Sequence, residues 1–126
     1  MIETKLKLIL AFMVLLATVV MPAFGQQTAA EWLEKGNAFV MLSMYDEAIQ
    51  AYDQAISIDP QYAYAWSNKG TALGHLGKYD EAIKACDQAI SIDPQNAYAW
   101  YNKGTVLGIL GKYDEAIKPF DQAISI

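Results

Sequence analysis

The sequence predicts an all-α chain built from one short helical unit used three times, and three observations carry that expectation. Residues 97–126 laid on residues 63–92 differ at only five of 30 positions, Ser67/Tyr101, Ala72/Val106, His75/Ile109, Ala85/Pro119 and Cys86/Phe120. The same register, with a period of 34 residues, extends backwards: Trp32, Trp66 and Trp100 coincide, as do Gly36, Gly70 and Gly104, and Tyr45, Tyr79 and Tyr113, while Pro60 and Pro94 close the pattern. Within a unit the apolar residues follow helical spacing, as in Trp32, Leu33, Phe39, Val40 and Leu42, or in Ala48, Tyr52 and Ala55 with Ile49 and Ile56 beside them.

A 34-residue unit with a Trp, a Gly four residues on, then Tyr, Ala, an aromatic, Ala and Pro resembles the tetratricopeptide repeat (TPR). The resemblance covers residues 29–126 as units 29–62, 63–96 and 97–126, the last one incomplete. It implies a TPR α-solenoid: six helices in stacked antiparallel pairs that wind into a right-handed superhelix. Such an array has no central core. Each unit buries an apolar seam against its neighbour, and about three units are the minimum that does so stably.

Ahead of the repeats, Lys5 and Lys7 precede an apolar stretch from Leu8 to Met21, and Ala23 and Gly25 place small residues on either side of Phe24. This is the three-part layout of a secretory signal peptide over residues 1–25, with cleavage after Gly25. The competing reading is an uncleaved signal anchor, although 14 residues from Leu8 to Met21 fall short of the roughly 20 that span a bilayer. Either way the repeats are expected to be secreted or in the cell envelope. Membrane attachment would come through residues 1–25 alone.

Thr28 and Glu31 have the spacing of a capping box, which starts the first repeat helix near Ala29. Gly77 and Gly111 end the first helix of the second and third units by supplying a left-handed residue, and Ser43 stands at that point in the first unit. If Ser43 keeps that geometry, it costs on the order of 1 kcal/mol. The second helix of each unit opens with an acidic pair, Asp46-Glu47, Asp80-Glu81 and Asp114-Glu115, suited to the positive end of a helix dipole. Asp59-Pro60 and Asp93-Pro94 stop these helices, because the residue before Pro is pushed out of the helical region. Pro119 is expected to bend the last helix without breaking it. No polar capping helix follows in this sequence, so the third repeat offers a bare seam for self-association, or for the next unit of a longer array.

The composition narrows the function by exclusion. The net charge is −5 and Arg is absent, so nothing here resembles a surface that tracks phosphates, and nucleic acid is not an expected partner. The single cysteine, Cys86, holds the position of Tyr52 and Phe120, which reads as a buried filler and excludes an intramolecular disulfide. One His and one Cys cannot assemble a metal site, His75 is the variable partner of Ile109, and Gly70, Gly74 and Gly77 lack phosphate-loop spacing. No catalytic activity, cofactor or metal is expected.

What remains is surface. The resemblance implies an inner face lined by the first helix of each unit, where partner proteins lay a peptide or a helix. Carried over position by position, that face is Leu33 and Asn37, then Tyr64, Ser67, Asn68 and Thr71, then Tyr98, Tyr101, Asn102 and Thr105, with His75 at its edge. Tyr gives contact area at low entropic cost and Asn can bond both donors and acceptors of an extended backbone. Tyr64 and Tyr98 read equally well as packing between units. The family's carboxylate clamp, which reads acidic C-termini, uses basic residues where this sequence has Leu33, Tyr98 and Asn102; only Asn37 and Asn68 match it. No clamp is therefore expected. The groove should be neutral and rich in aromatic and amide groups, flanked by Lys35, Lys69 and Lys103 as a solvated stripe.

Overall fold

A computed structural model describes residues 1–19 and 27–126, and every regular element among them is a helix. These are α1 (Ile2–Val19), α2 (Ala29–Met41), α3 (Tyr45–Ile58), α4 (Ala63–His75), α5 (Tyr79–Ile92), α6 (Ala97–Ile109) and α7 (Tyr113–Ser125). The pairs α2/α3, α4/α5 and α6/α7 are the three expected units. The capping box closes as anticipated, the Glu31 amide donating to Thr28 Oγ1 at 3.2 Å and the Thr28 amide to Glu31 Oε2 at 2.7 Å.

The turn inside each unit uses one left-handed residue: Ser43 at φ 57°, Gly77 at 75° and Gly111 at 76°. The bonds around it are the same in all three, with the amides of Met44, Lys78 and Lys112 donating to the carbonyls of Phe39, Leu73 and Leu107 at 2.9, 3.0 and 2.9 Å. Ser43 therefore keeps the glycine geometry. Between units, Asp59 Oδ1 accepts from the Gln61 amide and Trp66 Nε1 donates to the Pro60 carbonyl, both at 3.0 Å; Asp93 with Gln95, and Trp100 with Pro94, repeat this at 3.0 and 2.9 Å. The recurrence of Trp with Pro at a fixed distance thus has a direct cause, the indole N–H holding the loop that carries the proline.

The two helices of a unit approach closely where the first carries glycine. A Cβ on Gly70 would lie 2.7 Å from Cys86 Sγ and 3.1 Å from the Ala82 carbonyl, and one on Gly104 would lie 2.9 Å from the Phe120 ring. Gly36 faces the Tyr52 ring in the same way. Cys86 is fully buried, as its register with Tyr52 and Phe120 predicts. Pro119 is buried inside α7, which runs through it unbroken.

Neighbouring units share seams of the same composition. One cluster joins Phe39, Ala48, Ala51, Tyr52 and Ala72; the next joins Leu73, Ala82, Ala85 and Val106, with Ile49 of the preceding unit packed against it. The backbones of the first helices come close across units, α2 with α4 and α4 with α6, whereas those of α3 and α5, and of α5 and α7, stay farther apart. The stack accordingly curves with α2, α4 and α6 on its inside.

The segment expected to be a leader, residues 1–25, is helical from Ile2 to Val19, and the expected cleavage point after Gly25 lies outside the described residues. This helix touches the repeats. Ala11 is buried in the first cluster and Val14 packs against it. No helix among the described residues is long and apolar enough to cross a membrane.

Candidate peptide-binding face

The inner face is built by register. The 34-residue period places Glu34, Asn68 and Asn102 at one level of α2, α4 and α6, Asn37, Thr71 and Thr105 one turn on, and Met41, His75 and Ile109 at the helix ends. Polar side chains link these levels from unit to unit. Asn68 Nδ2 donates to Asn37 Oδ1 at 2.8 Å, and Asn102 Nδ2 donates to Thr71 Oγ1 at 2.7 Å. Asn37 Oδ1 also accepts from the Tyr52 hydroxyl at 2.8 Å, which ties the face to the buried aromatic of the first unit. Burial raises the pKa of that hydroxyl, so it stays a donor across the neutral range.

The predicted residues divide into three groups. Asn37, Tyr64 and Tyr98 are open to solvent and Asn68, Thr71 and Thr105 are half-buried, so these six are accessible, Tyr98 also lining a crevice with Tyr101 and Ile124 at the third unit. Tyr64 is 56% and Tyr98 67% exposed, which resolves their ambiguity: neither is packed away between units. Ser67 and Asn102 are buried, at 0% and 8%, and Asn102 Nδ2 lies 3.4 Å from Ser67 Oγ inside the α4/α6 junction. Their part is to join units; the neighbouring helix that the register brings against them withdraws both from a ligand. Leu33 is half-buried against the first core cluster. Tyr101 shares the register of Leu33 and Ser67, and it is 56% exposed, with no helix among the described residues packed over it as α6 is over Ser67. Its ring meets Phe120 edge-on at 5.8 Å, so it belongs to the end of the stack and not to its inner face.

Sequence reasoning omitted Glu34, Met41 and Ile109. Met41 is 86% and Ile109 58% exposed, and both share the register of His75, the same signal that identified Asn37 and Thr71. The His75 ring stacks on Tyr45 at 4.5 Å and 5°. The lysines are also placed differently from expectation. Lys69 Nζ pairs with Asp53 at 2.7 Å and Lys103 Nζ with Asp87 at 2.5 Å, each joining one unit to the preceding one. Their side chains are only about a quarter exposed, 23% and 26%, because an Asp of the preceding second helix faces each of them. Lys35 Nζ lies over the Trp32 ring at 4.4 Å, and desolvation lowers its pKa. Lys69 and Lys103 thus join units, and with Lys35 set over Trp32 the three do not form a solvated stripe.

Cys86 offers no reactive thiol: burial, with Asp87 acting in the same sense and Lys103 against, pushes its pKa up to about 12. No group of three or more His, Cys, Asp or Glu among the described residues could hold a metal ion.

Comparison with known proteins agrees with this architecture. Models of the tetratricopeptide repeat match residues 63–96 and 85–118, and a model described as TPR repeat matches residues 36–77. None of the curated proteins matches the sequence. Among solved structures, the second TPR domain of Spaghetti (RPAP3), bound to the HSP90 peptide SRMEEVD, is 34% identical with a TM-score of 0.73, over 78% of this chain and 91% of that one. MamA is 32% identical with a TM-score of 0.72, over 78% of this chain and 57% of its own. The TPR2B domain of yeast Sti1, in a complex with pHsp70, is 32% identical with a TM-score of 0.73, over 75% of this chain and 76% of that one. With its 34-residue register, its glycine-to-aromatic helix contacts and these likenesses, the chain belongs to the tetratricopeptide-repeat family.

Proposed function

We propose that this chain is a non-catalytic protein-interaction module that holds an extended peptide or a helix of a partner protein along the inner face of α2, α4 and α6, outside the cytoplasm. The observation that carries the reading is the continuous face of Asn37, Asn68 and Thr71 flanked by the exposed rings of Tyr64 and Tyr98. Amides and hydroxyls there can pair with a backbone, and the tyrosines supply area at low entropic cost. The similar domain of RPAP3 is bound to an HSP90 peptide and that of Sti1 is in a complex with pHsp70, which supports a protein-binding use of this face. The peptide SRMEEVD is acidic, whereas this chain has Leu33, Tyr98 and Asn102 at the positions where the clamp would be basic, and Glu34 at the level of Asn68. The ligand favoured here is uncharged and apolar or aromatic. Met41 and Ile109 extend the apolar character at one edge.

Export rests on Lys5 and Lys7 ahead of the apolar stretch from Leu8 and on the small residues around Phe24. Fractionation of the host and N-terminal sequencing of the mature chain test it; a first residue of Gln26 supports cleavage, and a cytoplasmic chain beginning at Met1 refutes export.

For the face itself, peptides selected from a display library on the full chain would be measured against Tyr64→Ala, Tyr98→Ala and Tyr101→Ala. Loss of an aromatic anchor is worth on the order of 2 kcal/mol, so the first two are expected to weaken binding by roughly tenfold or more with helicity unchanged. Tyr101→Ala, at the end of the stack, is expected to have little effect. Affinity untouched by Tyr64→Ala and Tyr98→Ala would place the ligand elsewhere.

A further inference from the structure

The polar groups of the inner face are engaged differently at its two junctions. Between the second and third units they satisfy one another: Asn102 Nδ2 reaches both Thr71 Oγ1 and Ser67 Oγ, the Thr71 hydroxyl donates to the Ser67 carbonyl at 3.3 Å, and Asn102 is only 8% exposed. Between the first and second units the centre is Asn37, which is open to solvent. Its Oδ1 accepts twice, from the Tyr52 hydroxyl of α3 and from Asn68 Nδ2 of α4, each at 2.8 Å. A carbonyl oxygen has two lone pairs, so this one is saturated, and what Asn37 has left for a ligand is the pair of N–H groups on Nδ2.

The direction of that amide has an identifiable cause. The oxygen and nitrogen ends of an asparagine are nearly alike in shape, so the hydrogen-bond partners decide which way it points. Asn68 does not decide it, because turning both amides together restores the same bond with donor and acceptor exchanged. The Tyr52 hydroxyl does. Tyr52 is 1% exposed, and Asn37 Oδ1 takes its proton; turning Asn37 would aim an N–H at the hydroxyl and strand that proton in the interior. A buried donor without an acceptor biases the two directions by roughly tenfold or more. Burial also raises the pKa of the hydroxyl, so it keeps the proton that makes it a donor. Cys86 and Phe120 hold the same register in the later units and have no hydroxyl, so the lock belongs to the first junction.

We propose that Tyr52 is a positioning residue of the inner face: its hydroxyl holds the Asn37 amide with both N–H groups towards the ligand, so that this junction takes a hydrogen-bond acceptor and refuses a donor. The acceptor is a backbone carbonyl of the bound segment. The assignment rests on the inner face being the binding surface, and it narrows the ligand. An extended segment has carbonyls free to accept, whereas those of a helix are already bonded except in its last turn, so the first junction favours an extended peptide over a helix. A terminal carboxylate could also accept there, but no cation stands at the clamp positions Leu33, Tyr98 and Asn102, and Glu34 lies at the level of Asn68.

The test uses the full chain and a library-selected peptide made with an amidated C-terminus, then remade with each backbone carbonyl in turn replaced by a thiocarbonyl, which weakens the acceptor and keeps the N–H. One replacement is expected to weaken binding to the wild-type chain by roughly fivefold or more. Asn37→Asp keeps both inward bonds but has no N–H to offer; it should bind the parent peptide roughly tenfold more weakly and respond to that replacement by less than about twofold. Tyr52→Phe keeps a ring beside Gly36, as Phe120 lies beside Gly104, so the packing stands. In this variant about half the chains present the Asn37 carbonyl instead, which weakens binding by about two- to threefold. The readout that packing alone would not move is the scalar coupling across the Asn37–Asn68 hydrogen bond. In the wild-type chain it should run from Asn68 Nδ2 to Asn37 Cγ, and in Tyr52→Phe the reverse coupling, from Asn37 Nδ2 to Asn68 Cγ, should appear beside it. A coupling that stays one-way in Tyr52→Phe, a peptide held as tightly by Asn37→Asp as by the wild type, or a scan with no costly carbonyl would each overturn the proposal. Loss of binding on amidation alone would assign the acceptor to a terminal carboxylate and overturn it too. Binding lost in Tyr64→Ala but kept in Asn37→Asp strikes this inference alone, whereas binding kept in both strikes the inner-face reading itself.

Discussion

Replacing Ser43 by glycine is expected to stabilise the chain, although it deletes a side chain and creates no contact. Ser43 holds φ 57° at the turn where the other units place Gly77 at 75° and Gly111 at 76°. An L-residue in the left-handed region pays about 1–2 kcal/mol for the approach of its Cβ to the following carbonyl. Glycine avoids that cost but gives up about 0.4–1 kcal/mol through the greater freedom of its unfolded chain. The difference is a gain of about 0.5–1 kcal/mol, or a rise in Tm of roughly 3–6 °C for a domain of this size. Gly111→Ser is the mirror experiment. Nothing lies within 4 Å of a Cβ built there, so its cost is backbone strain alone and should match the gain at Ser43 in size with opposite sign. Thermal and urea melts followed by circular dichroism measure both. Equal signs for the two variants, or a change below about 0.3 kcal/mol in each, would show that the turn relaxes and that the left-handed residue costs nothing here.

Three further outcomes follow from the seams. Gly70→Ala is expected to destabilise by about 1–3 kcal/mol, because its Cβ would sit 2.7 Å from Cys86 Sγ; Cys86→Ala in the same chain should recover part of this, leaving the 3.1 Å contact with the Ala82 carbonyl, and a double-mutant cycle by urea denaturation measures the coupling. Cys86 should resist alkylation in the native chain near pH 8 and become reactive only as helicity is lost in urea. Because its folded pKa, about 12, lies above the ordinary thiol value of 9.0, the unfolded chain loses its proton first; the contribution to stability is whole below pH 9 and falls as pH rises from 9 towards 12, a decline that Cys86→Ala should reduce. The Asp53–Lys69 pair, with the carboxylate side chain half exposed at 50%, should show a coupling of no more than about 1 kcal/mol in a double-mutant cycle, diminishing with salt.

The repeat helices were legible because one register repeats every signal. The capping box at Thr28, the left-handed turns at Gly77 and Gly111 and the Asp-Pro stops are local chemistry, and each appears where the sequence puts it. The inner face was legible only in part. Period alone names which residues share a level of the stack, as Asn37 does with Thr71 and Thr105, but it does not say how far a neighbouring helix covers a level. Ser67 and Tyr101 occupy one register, and a following helix buries the first while the second stays open. Asn102 is covered by a junction that composition does not reveal. The lysines were misplaced for a related reason: Lys69 and Asp53 lie 16 residues apart on different units, and only the angle between those units brings them to 2.7 Å. The docking of α1 was not legible at all, because Leu8 to Met21 carries no trace of the 34-residue pattern and its apolar character suits an export signal equally well.

The inner face is tested most directly by the chemical-shift map of the full chain titrated with a library-selected peptide. Changes concentrated at Asn37, Tyr64, Asn68, Thr71, Tyr98 and Thr105, with the outer helices α3, α5 and α7 undisturbed, are the predicted result. Changes confined to α3, α5 and α7, or to Tyr101 and Ile124 at the end of the stack, would contradict it and leave the ends as the surface this chain uses.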